Sequence, residues 1–288
     1  MRSLLFVPAD GGSKLDKAMA SGADGVIIDL EDSIAAESKE SARKLALDFL
    51  KSAQSHKDRP QLLVRINGLD TGMTDADLDA VVPGKPDAVL LPKAEGGATV
   101  IHLDAKLTVR EALAGLPEGE IKLLAQTVES PAGLFSAGSY RNCSARLIGM
   151  TWGPEDLSAE LGAEANREID GTLTEPYRIA RAMCLFGAAA AKVSAIETIY
   201  VNFRDTDLLR KDTELARRDG FTGRLAIHPA QVPVINEVFT PSTAQIEKAK
   251  AIVAAFEAKP GAGTVGMDGK MYDRPHLARA QALLQRVK

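Results

Sequence analysis

The stretch RLIGMTWGPEDL, residues 146–157, contains a short apolar run, two residues that interrupt regular structure, and two adjacent acids. The interrupting residues are Gly153 and Pro154, and the acids Glu155 and Asp156 follow directly. A short, continuously apolar segment bounded by turn residues is typical of a parallel strand that is covered on both faces. We interpret this stretch as a buried strand whose carboxyl end carries acidic groups.

The same unit recurs along the chain. Helical patterns such as 38–50, 174–191 and 206–218 separate the apolar runs. The eight predicted strands are Ser3–Pro8, Gly25–Leu30, Leu62–Ile66, Ala88–Leu91, Lys122–Val128, Arg146–Met150, Thr198–Val201 and Gly223–Ile227. Eight strands that alternate with helices over about 250 residues predict an α/β fold of the (β/α)8 TIM-barrel type. A doubly wound open sheet is the alternative, but no GxGxxG motif follows the first strand.

The barrel pattern is complete by residue 257, so the predicted catalytic domain spans 1–257. The remaining residues, 258–288, are rich in glycine at first and end in a helical pattern over Pro275–Val287. The segment VGMDGKMYDRP mixes apolar and turn residues, whereas a purely solvating tail is more polar. We therefore expect an ordered C-terminal extension of loop and helix.

Composition describes an ordinary globular protein. The 288 residues are 45% hydrophobic and 26% charged, with a net charge of −4, which gives no reason to expect nucleic acid or a membrane surface as a partner. The apolar runs are too short to span a bilayer, and the N-terminus lacks a signal-peptide pattern. Cys143 and Cys184 form no CxxC motif, so we expect two buried small hydrophobes rather than a disulfide or zinc site, and a cytoplasmic protein.

Nearly every predicted strand ends in a charged or hydrogen-bonding residue. In a barrel of this type, chemistry takes place at the carboxyl ends of the strands. In strand order, these residues are Asp10; Asp29, Glu31 and Asp32; Arg65 and Asn67; Lys93 and Glu95; Glu129; Glu155 and Asp156; Asn202; and His228. Their concentration at one rim predicts an active site there.

Carboxylates that converge on one pocket repel each other unless a cation lies among them. An all-oxygen ligand set suits Mg²⁺ or Mn²⁺, so we expect Glu129 and Asp156 to share such a metal. Mg²⁺ keeps open positions that a 2-oxo acid can fill with its carboxylate and keto oxygens. Arg65 offers a planar positive fork for a carboxylate or a developing enolate. The alternative role for Arg65 is structural, in a ring of ion pairs that closes the barrel mouth.

Other polar residues of the rim admit two interpretations each. His228 is either a base or, as the IHP context favours, a packing residue with a backbone contact. Lys93 either forms a Schiff base or pairs with Glu95, and the oxygen ligand set favours a metal route over the Schiff base. Lys14 and Lys17 either meet phosphates or lie on a solvated helix face.

In these segments the sequence resembles the citrate lyase beta-subunit-like (CitE-like) proteins of the HpcH/HpaI aldolase superfamily. The matching segments run in order over nearly the whole chain: RSLLFVPA (2–9), GADGVIIDLEDSI (22–34), VRIN (64–67), LLPKAE (90–95), QTVESPAGL (126–134), WGPEDLSAELG (152–162), RLAIHPAQV (224–232) and GKMYDRP (269–275). The resemblance implies a Mg²⁺-dependent barrel that makes or breaks a C–C bond beside an acyl thioester. Members of the family include lyases of citryl thioesters, malyl-CoA, methylmalyl-CoA and citramalyl-CoA, and some thioesterases.

The resemblance also implies roles for individual residues. The metal carboxylates of the family correspond to Glu129 and Asp156, and its substrate arginine corresponds to Arg65. Backbone amides around Glu155 and Asp156 are expected to face the substrate.

In relatives, a C-terminal segment covers the mouth of a neighbouring subunit and contributes an acid, to which Asp273 corresponds. Phe6 and Lys17 match the region that contacts coenzyme A. Many relatives have Gly and Arg after FVP, whereas this chain has ADGGSK over 9–14, so the contacts to the CoA phosphates differ. The resemblance implies a homo-oligomer, a trimer or a hexamer.

The implied activity is that of a Mg²⁺-dependent acyl-CoA carbon–carbon lyase. Retro-Claisen cleavage of a 3-hydroxyacyl thioester of the malyl-CoA or citramalyl-CoA type gives an acyl-CoA and a 2-oxo acid, with Arg65 and Asp273 as catalytic residues. The alternatives are the beta subunit of a citrate lyase complex that acts on a citryl carrier protein, a thioesterase of the same family, and a protein that binds CoA thioesters without turnover. The presence of Arg65, Glu129 and Asp156 argues against the last alternative.

Overall fold

Eight parallel strands, β1 to β8, pair in chain order, and β8 closes onto β1 in the computed structural model, which describes residues 1–286. The strands span Ser3–Pro8 (β1), Gly25–Asp29 (β2), Gln61–Arg65 (β3), Ala88–Ala94 (β4), Lys122–Thr127 (β5), Leu147–Trp152 (β6), Ser194–Glu197 (β7) and Gly223–Ala226 (β8). The helices of this part are Ser13–Met19 (α1), Lys39–Ala53 (α2), Thr74–Val81 (α3), Gly97–Leu113 (α4), Pro131–Phe135 (α5), Pro154–Leu161 (α6), Glu175–Ala191 (α7), Thr206–Asp219 (α8) and Gln231–Phe239 (α9). The predicted (β/α)8 TIM barrel is confirmed.

The core has two layers because successive residues of a strand point to opposite faces. The larger layer lies between the strands and the surrounding helices. A smaller layer fills the barrel itself, and its members include Leu4, Ile27, Leu63, Leu90, Leu124, Ile196 and Leu225. Such filling makes the barrel a packed core, so ligands are confined to its mouth.

The seventh strand lies earlier in the chain than predicted. The sequence pattern TIYV favoured Thr198–Val201, but β7 is Ser194–Glu197, directly after α7 ends at Lys192 in a left-handed conformation. The β-branched and aromatic residues of TIYV have a high strand propensity. The residues that pair with β6 and β8, however, are those that follow α7 more closely in the chain. The prediction that Asn202 ends this strand is therefore also wrong, and Asn202 is exposed.

The chain divides into two compact units, Met1–Phe239 and a second unit that begins at Thr240. The second unit contains α10 (Thr243–Glu257), the antiparallel strands β9 (Thr264–Met267) and β10 (Lys270–Asp273), and α11 (Arg274–Gln285). Its own apolar cluster is Ala249, Ile252, Phe256, Val265, Tyr272 and Ala280.

The predicted C-terminal extension thus has regular structure and a core. The sequence placed the domain boundary after residue 257, whereas α10 groups with β9 and α11 because its apolar face packs on them. Of the helix predicted over Pro275–Val287, residue 287 lies outside the described residues.

Both cysteines are free thiols. Cys184 is fully buried in the outer core layer, where burial raises the pKa of the thiol to about 12, and Cys143 packs against the same layer. Among residues 1–286, no helix combines the length and apolarity that a membrane crossing requires.

Candidate active site

A cavity of about 350 Å³ opens at the carboxyl ends of the strands. Because the strands are parallel, every βα connection delivers its first residues to this rim. The residues that line the cavity include Phe6, Asp29, Arg65, Gln126, Asp156 and Ile199. The rim predicted from strand ends is therefore a real concave site.

Arg65 is held in one orientation by two acids and a ring. Its Nε and Nη2 each donate to a different oxygen of Asp29 at 2.7 Å, and Nη1 lies 2.8 Å from Glu31 Oε2. The guanidinium carbon lies 4.8 Å from the centroid of the Phe6 ring. Arg65 therefore belongs to a structural ion-pair network and also lines the cavity, so the structure is compatible with both the structural and the substrate-facing interpretation.

Burial and charge compete at this ion pair. Burial lowers the pKa of Arg65, but the hydrogen bonds and the charge of Asp29 outweigh it and raise the pKa, so the guanidinium stays charged. Burial raises the pKa of Asp29, but the hydrogen bonds and charge of Arg65 outweigh it and hold that pKa below its usual range. Asp29 is therefore an ionised carboxylate at neutral pH.

Lys93 is the second cation of the site. Its Nζ lies 2.8 Å from Glu31 Oε1, 3.6 Å from Asp156 Oδ1 and 3.8 Å from Asp32 Oδ1. It does not pair with Glu95, whose carboxylate instead accepts the hydroxyl of Ser130 at 2.6 Å.

Burial lowers the pKa of Lys93, but the surrounding acids outweigh it and raise the pKa. Lys93 therefore pairs with an acid, but the predicted partner Glu95 is wrong and the partner is Glu31. An amine that stays protonated is no nucleophile, which argues against the Schiff-base role. Glu31 itself has a raised pKa because its burial outweighs the attraction of Arg65 and Lys93.

Glu129 follows β5 and is 3% exposed. Its Oε2 accepts the backbone N–H of Lys93 at 2.5 Å, and its Oε1 accepts Nε2 of Gln126 at 2.5 Å. Burial, together with the charges of Asp156 and Glu31, raises the pKa of Glu129 well above its usual value. The carboxylate therefore lies where a cation would stabilise it.

The backbone around Glu129 is shaped for this arrangement. Val128 and Lys93 adopt φ values of 55° and 49°, which non-glycine residues rarely adopt and which cluster at functional sites. A Cβ on Gly153 would lie 2.7 Å from Glu129 Oε1, so only glycine allows β6 to approach the carboxylate this closely. The glycine at position 153 is therefore required by its packing against Glu129.

Asp156 lies in the first turn of α6 and lines the cavity. Among the described residues 1–286, no three His, Cys, Asp or Glu side chains converge as a ready-made metal cage. Glu129 and Asp156 would thus supply two oxygen ligands and leave the other positions to water or substrate, as Mg²⁺ sites commonly do. The donor set and the raised pKa of Glu129 fit such a cation.

Of the other residues predicted for the site, two line the cavity and two do not. Phe6 and Glu155 line the cavity, and Glu155 Oε1 accepts from Asn166 Nδ2 at 3.0 Å. Lys17 is exposed on α1 and is not among the residues that line this cavity. Asp273 belongs to the second compact unit, where it caps α11.

His228 agrees with the packing interpretation. Its ring stacks on Phe203 with centroids 4.6 Å apart, and its Nδ1 accepts the backbone N–H of Ala230 at 3.2 Å. The sequence placed Asp29 and Glu31 on the predicted rim without an individual role, and it did not identify Gln126. For Gln126 a signal exists, because it is a polar residue inside the apolar run LLAQTV.

The fold and the site agree with one known family. The model of the HpcH/HpaI aldolase/citrate lyase family matches residues 2–229. The chain belongs to this family. The match covers all eight strands of the barrel and includes every residue that lines the cavity.

Relatives in this family align over the full chain. The citrate lyase subunit beta of Leuconostoc mesenteroides subsp. cremoris is 33% identical, and the alignment covers 99% of this chain and 92% of the relative. A (3S)-malyl-CoA thioesterase of Cereibacter sphaeroides is 35% identical and is aligned over 100% of this chain and 94% of its own. The crystal structure of CitE from Mycobacterium tuberculosis, in complex with magnesium, acetoacetate and coenzyme A, has a TM-score of 0.78 and 31% identity, with 99% and 97% of the two chains covered.

The names of these relatives divide between two chemistries. Citrate lyase subunits act in carbon–carbon bond cleavage, and thioesterases hydrolyse a thioester. Family membership therefore establishes the barrel and the likeness to citrate lyase beta subunits, and the reaction of this chain has to be argued from its own site.

Proposed function

We propose that the protein is a Mg²⁺-dependent acyl-CoA carbon–carbon lyase. It cleaves a 3-hydroxyacyl thioester of the malyl-CoA or citramalyl-CoA type to an acyl-CoA and a 2-oxo acid. The observation that carries the proposal is that Arg65 and Asp156 line one cavity at the barrel mouth, and that the charge of Asp156 acts on the buried Glu129. Such a site combines cation-binding oxygens with a stabiliser of negative charge.

Glu129 and Asp156 would hold Mg²⁺, for which Mn²⁺ is a substitute. When bound, the cation supplies Lewis-acid stabilisation of the oxygens of the substrate. The raised pKa of Glu129 supports this assignment, because a buried acid surrounded by other acids is stabilised in its ionised form by a divalent cation. The magnesium in the related CitE structure is further support.

The side chains of the protein have separate tasks in the proposed cleavage. A base, which we assign to Asp273 from an adjacent copy of the chain, takes the proton of the 3-hydroxyl group. The C–O bond becomes the keto group of the departing 2-oxo acid, and the electron pair of the broken C–C bond moves onto the acyl thioester as an enolate. Arg65 stabilises this enolate through N–H groups that Asp29 and Glu31 leave free, and protonation at carbon yields the acyl-CoA.

Binding of the remainder of the thioester is assigned by position. We propose that Phe6 and Lys17 contact coenzyme A, and that the first amides of α6, at Glu155 and Asp156, face the substrate. α6 has eight residues, and its amino-terminal amides are suited to a carboxylate. The protein is proposed to act in the cytoplasm as a homo-oligomer, a trimer or a hexamer.

A substrate panel tests the proposal. Malyl-, citramalyl-, methylmalyl- and citryl-CoA are incubated with the protein and Mg²⁺, and the 2-oxo acid and acyl-CoA products are measured. We expect one or more thioesters to release a 2-oxo acid, and we expect excess EDTA to abolish the release until Mg²⁺ is restored. Full activity in excess EDTA contradicts the metal assignment.

The same panel, with a citryl carrier protein added as a fifth substrate, separates the alternatives. A thioesterase, for which the 35% identical malyl-CoA relative is the argument, releases free coenzyme A without any 2-oxo acid. A citrate lyase beta subunit, for which the 33% identical relative is the argument, requires a citryl carrier protein in place of the CoA thioester. A binding protein retains each thioester intact.

A further inference from the structure

Gln126 lies at the carboxyl end of β5 and has 6% of its surface exposed. Its Nε2 donates to Glu129 Oε1 at 2.5 Å. Because a carboxylate oxygen accepts hydrogen bonds, the amide nitrogen must face Glu129, and the amide oxygen must face away from it. The orientation of the Gln126 amide is therefore determined by Glu129.

Within residues 1–286, the amide oxygen of Gln126 and Oγ1 of Thr151 are both buried and have no hydrogen-bond partner. The two residues are paired in the register of β5 and β6, so their side chains leave the sheet on the same face. A threonine hydroxyl is a donor that rotates freely, and an amide oxygen is an acceptor. No hydrogen bond joins the two groups in the structure, so among the described residues the hydrogen bond to Glu129 is the one that orients the Gln126 amide.

Glu129 is fixed by two donors, one on each carboxylate oxygen. The backbone N–H of Lys93 holds Oε2, and Gln126 holds Oε1. Each oxygen keeps a lone pair for a cation, while rotation of the carboxylate is restrained. Of the two donors, only Gln126 is a side chain, so it is the contact that substitution is able to remove.

We propose that Gln126 is a positioning residue that orients Glu129 for the divalent cation of the proposed function, on which this inference rests. Outer-sphere hydrogen bonds of this kind fix the orientation of a ligand carboxylate, and their loss typically lowers metal affinity by about 10- to 100-fold. The competing explanation is that Gln126 only fills space inside the barrel.

Gln126→Met tests the proposal, because it keeps the length and burial of the side chain and removes the amide. Gln231→Met is the matched control. Gln231 is fully buried at the same rim, accepts the backbone N–H groups of Ile227 and His228, and donates to the carbonyl of Tyr200, and no hydrogen bond links it to Glu129 or Asp156. A purely structural effect weakens both variants alike.

The measurement is the dissociation constant of Mn²⁺ alone, followed by electron paramagnetic resonance with the full-length protein in the absence of thioester. We expect the constant to rise about 10-fold or more in Gln126→Met and to change less than about twofold in Gln231→Met. If Gln126→Met does not fold, Gln126→Asn, whose shorter amide does not reach Glu129, is expected to show the same rise.

An unchanged Mn²⁺ affinity in the Gln126 variant overturns the proposal, and so does an equal loss in the Gln231 control. Wild-type protein that binds no Mn²⁺ overturns it as well. A protein that binds Mn²⁺ with the expected difference between variants, but cleaves none of the four thioesters, refutes the proposed lyase activity and leaves the role of Gln126 supported.

Discussion

Arg65 differs from a lysine in the number of directions in which it is held. Two of its nitrogens bind both oxygens of Asp29, and a third meets Glu31, which leaves the planar group rigid at the cavity wall. A lysine ammonium is a point charge on a flexible stem and has no planar fork. We therefore expect that a lysine at position 65, which keeps the charge but not the planar group, cannot replace Arg65 in the proposed reaction.

Arg65→Lys should lower kcat/KM of the proposed lyase about 30-fold or more. This loss corresponds to about 2 kcal/mol of transition-state stabilisation, because the fork that faces the enolate is gone while the positive charge remains. Steady-state kinetics on the best thioester of the panel provides the measurement. A variant with near-native kcat/KM would show that Arg65 is a structural ion-pair residue.

Asp29 should make the stability of the barrel depend on acid pH. Its folded pKa lies below the unfolded value of about 3.9, so its contribution is complete above that value and is lost as the pH falls through the folded pKa. Urea unfolding should show wild type more stable than Asp29→Asn by about 3 kcal/mol at pH 7, where a buried ion pair is broken. The difference should shrink below about pH 4, and a difference that is constant with pH contradicts this account.

The β6–α6 connection shows how an element tolerates two neighbouring acids. Pro154 starts α6 and Gly162 ends it in a left-handed conformation, so the helix has defined limits. Glu155 and Asp156 fall in its first turn, where the helix dipole favours negative charge. The helix terminus, the ammonium of Lys93 near Asp156 and the proposed cation each offset the repulsion between the two acids.

Asp273 has a local role in α11 that must be separated from its proposed chemistry. Its side chain accepts the backbone N–H of His276 at 3.3 Å, and its own backbone N–H donates to Nδ1 of His276 at 3.3 Å, and these two hydrogen bonds form a capping box. Asp273→Asn keeps the capping oxygen and loses the basic carboxylate, whereas Asp273→Ala loses both.

We expect the Asn variant to lose lyase turnover with unchanged amide exchange in the first turn of α11. The Ala variant should lose turnover and show faster exchange there. Hydrogen–deuterium exchange and the product assay on the same samples measure the two effects. Full turnover in the Asn variant would mean that Asp273 is only a helix cap.

At the scale of the whole molecule, the residues assigned to the proposed reaction fall in two compact units, each with its own core. Arg65, Glu129 and Asp156 belong to the barrel unit, and Asp273 belongs to the unit that begins at Thr240. We propose that Asp273 acts at the site of another copy of the chain.

Mixing two inactive variants tests this proposal. Asp273→Ala and Arg65→Ala chains are unfolded and refolded together so that mixed oligomers form, and activity is compared with each variant refolded alone. If Asp273 acts on a neighbouring subunit, some sites in the mixture combine an intact Arg65 with an intact Asp273, and part of the activity returns. Mixed oligomers without any recovery, or a monomer in light scattering, contradict the proposal.

The sequence by itself determined the barrel and the rim at which its polar residues lie. Hydrophobic periodicity is carried by neighbours two to four positions apart, so the eight strand–helix units are visible without a structure. The polar residues that follow each apolar run could be assigned to one rim for the same reason. Arg65, Glu129 and Asp156 are predicted as site residues in this way, and the family motifs point to the same three residues.

Only the tertiary structure decided which of these groups meet. Lys93 and Glu31 are 62 positions apart, and Arg65 and Asp29 are 36 apart, so barrel closure and not local pattern chooses the partners. The position of β7 followed the same rule, because pairing with β6 and β8 prevailed over the local propensity of TIYV. The burial that raises the pKa of Glu129 is likewise a property of the closed barrel, because the atoms around this carboxylate come from strands that are distant in the chain. The same holds for its hydrogen bond with the backbone of Lys93.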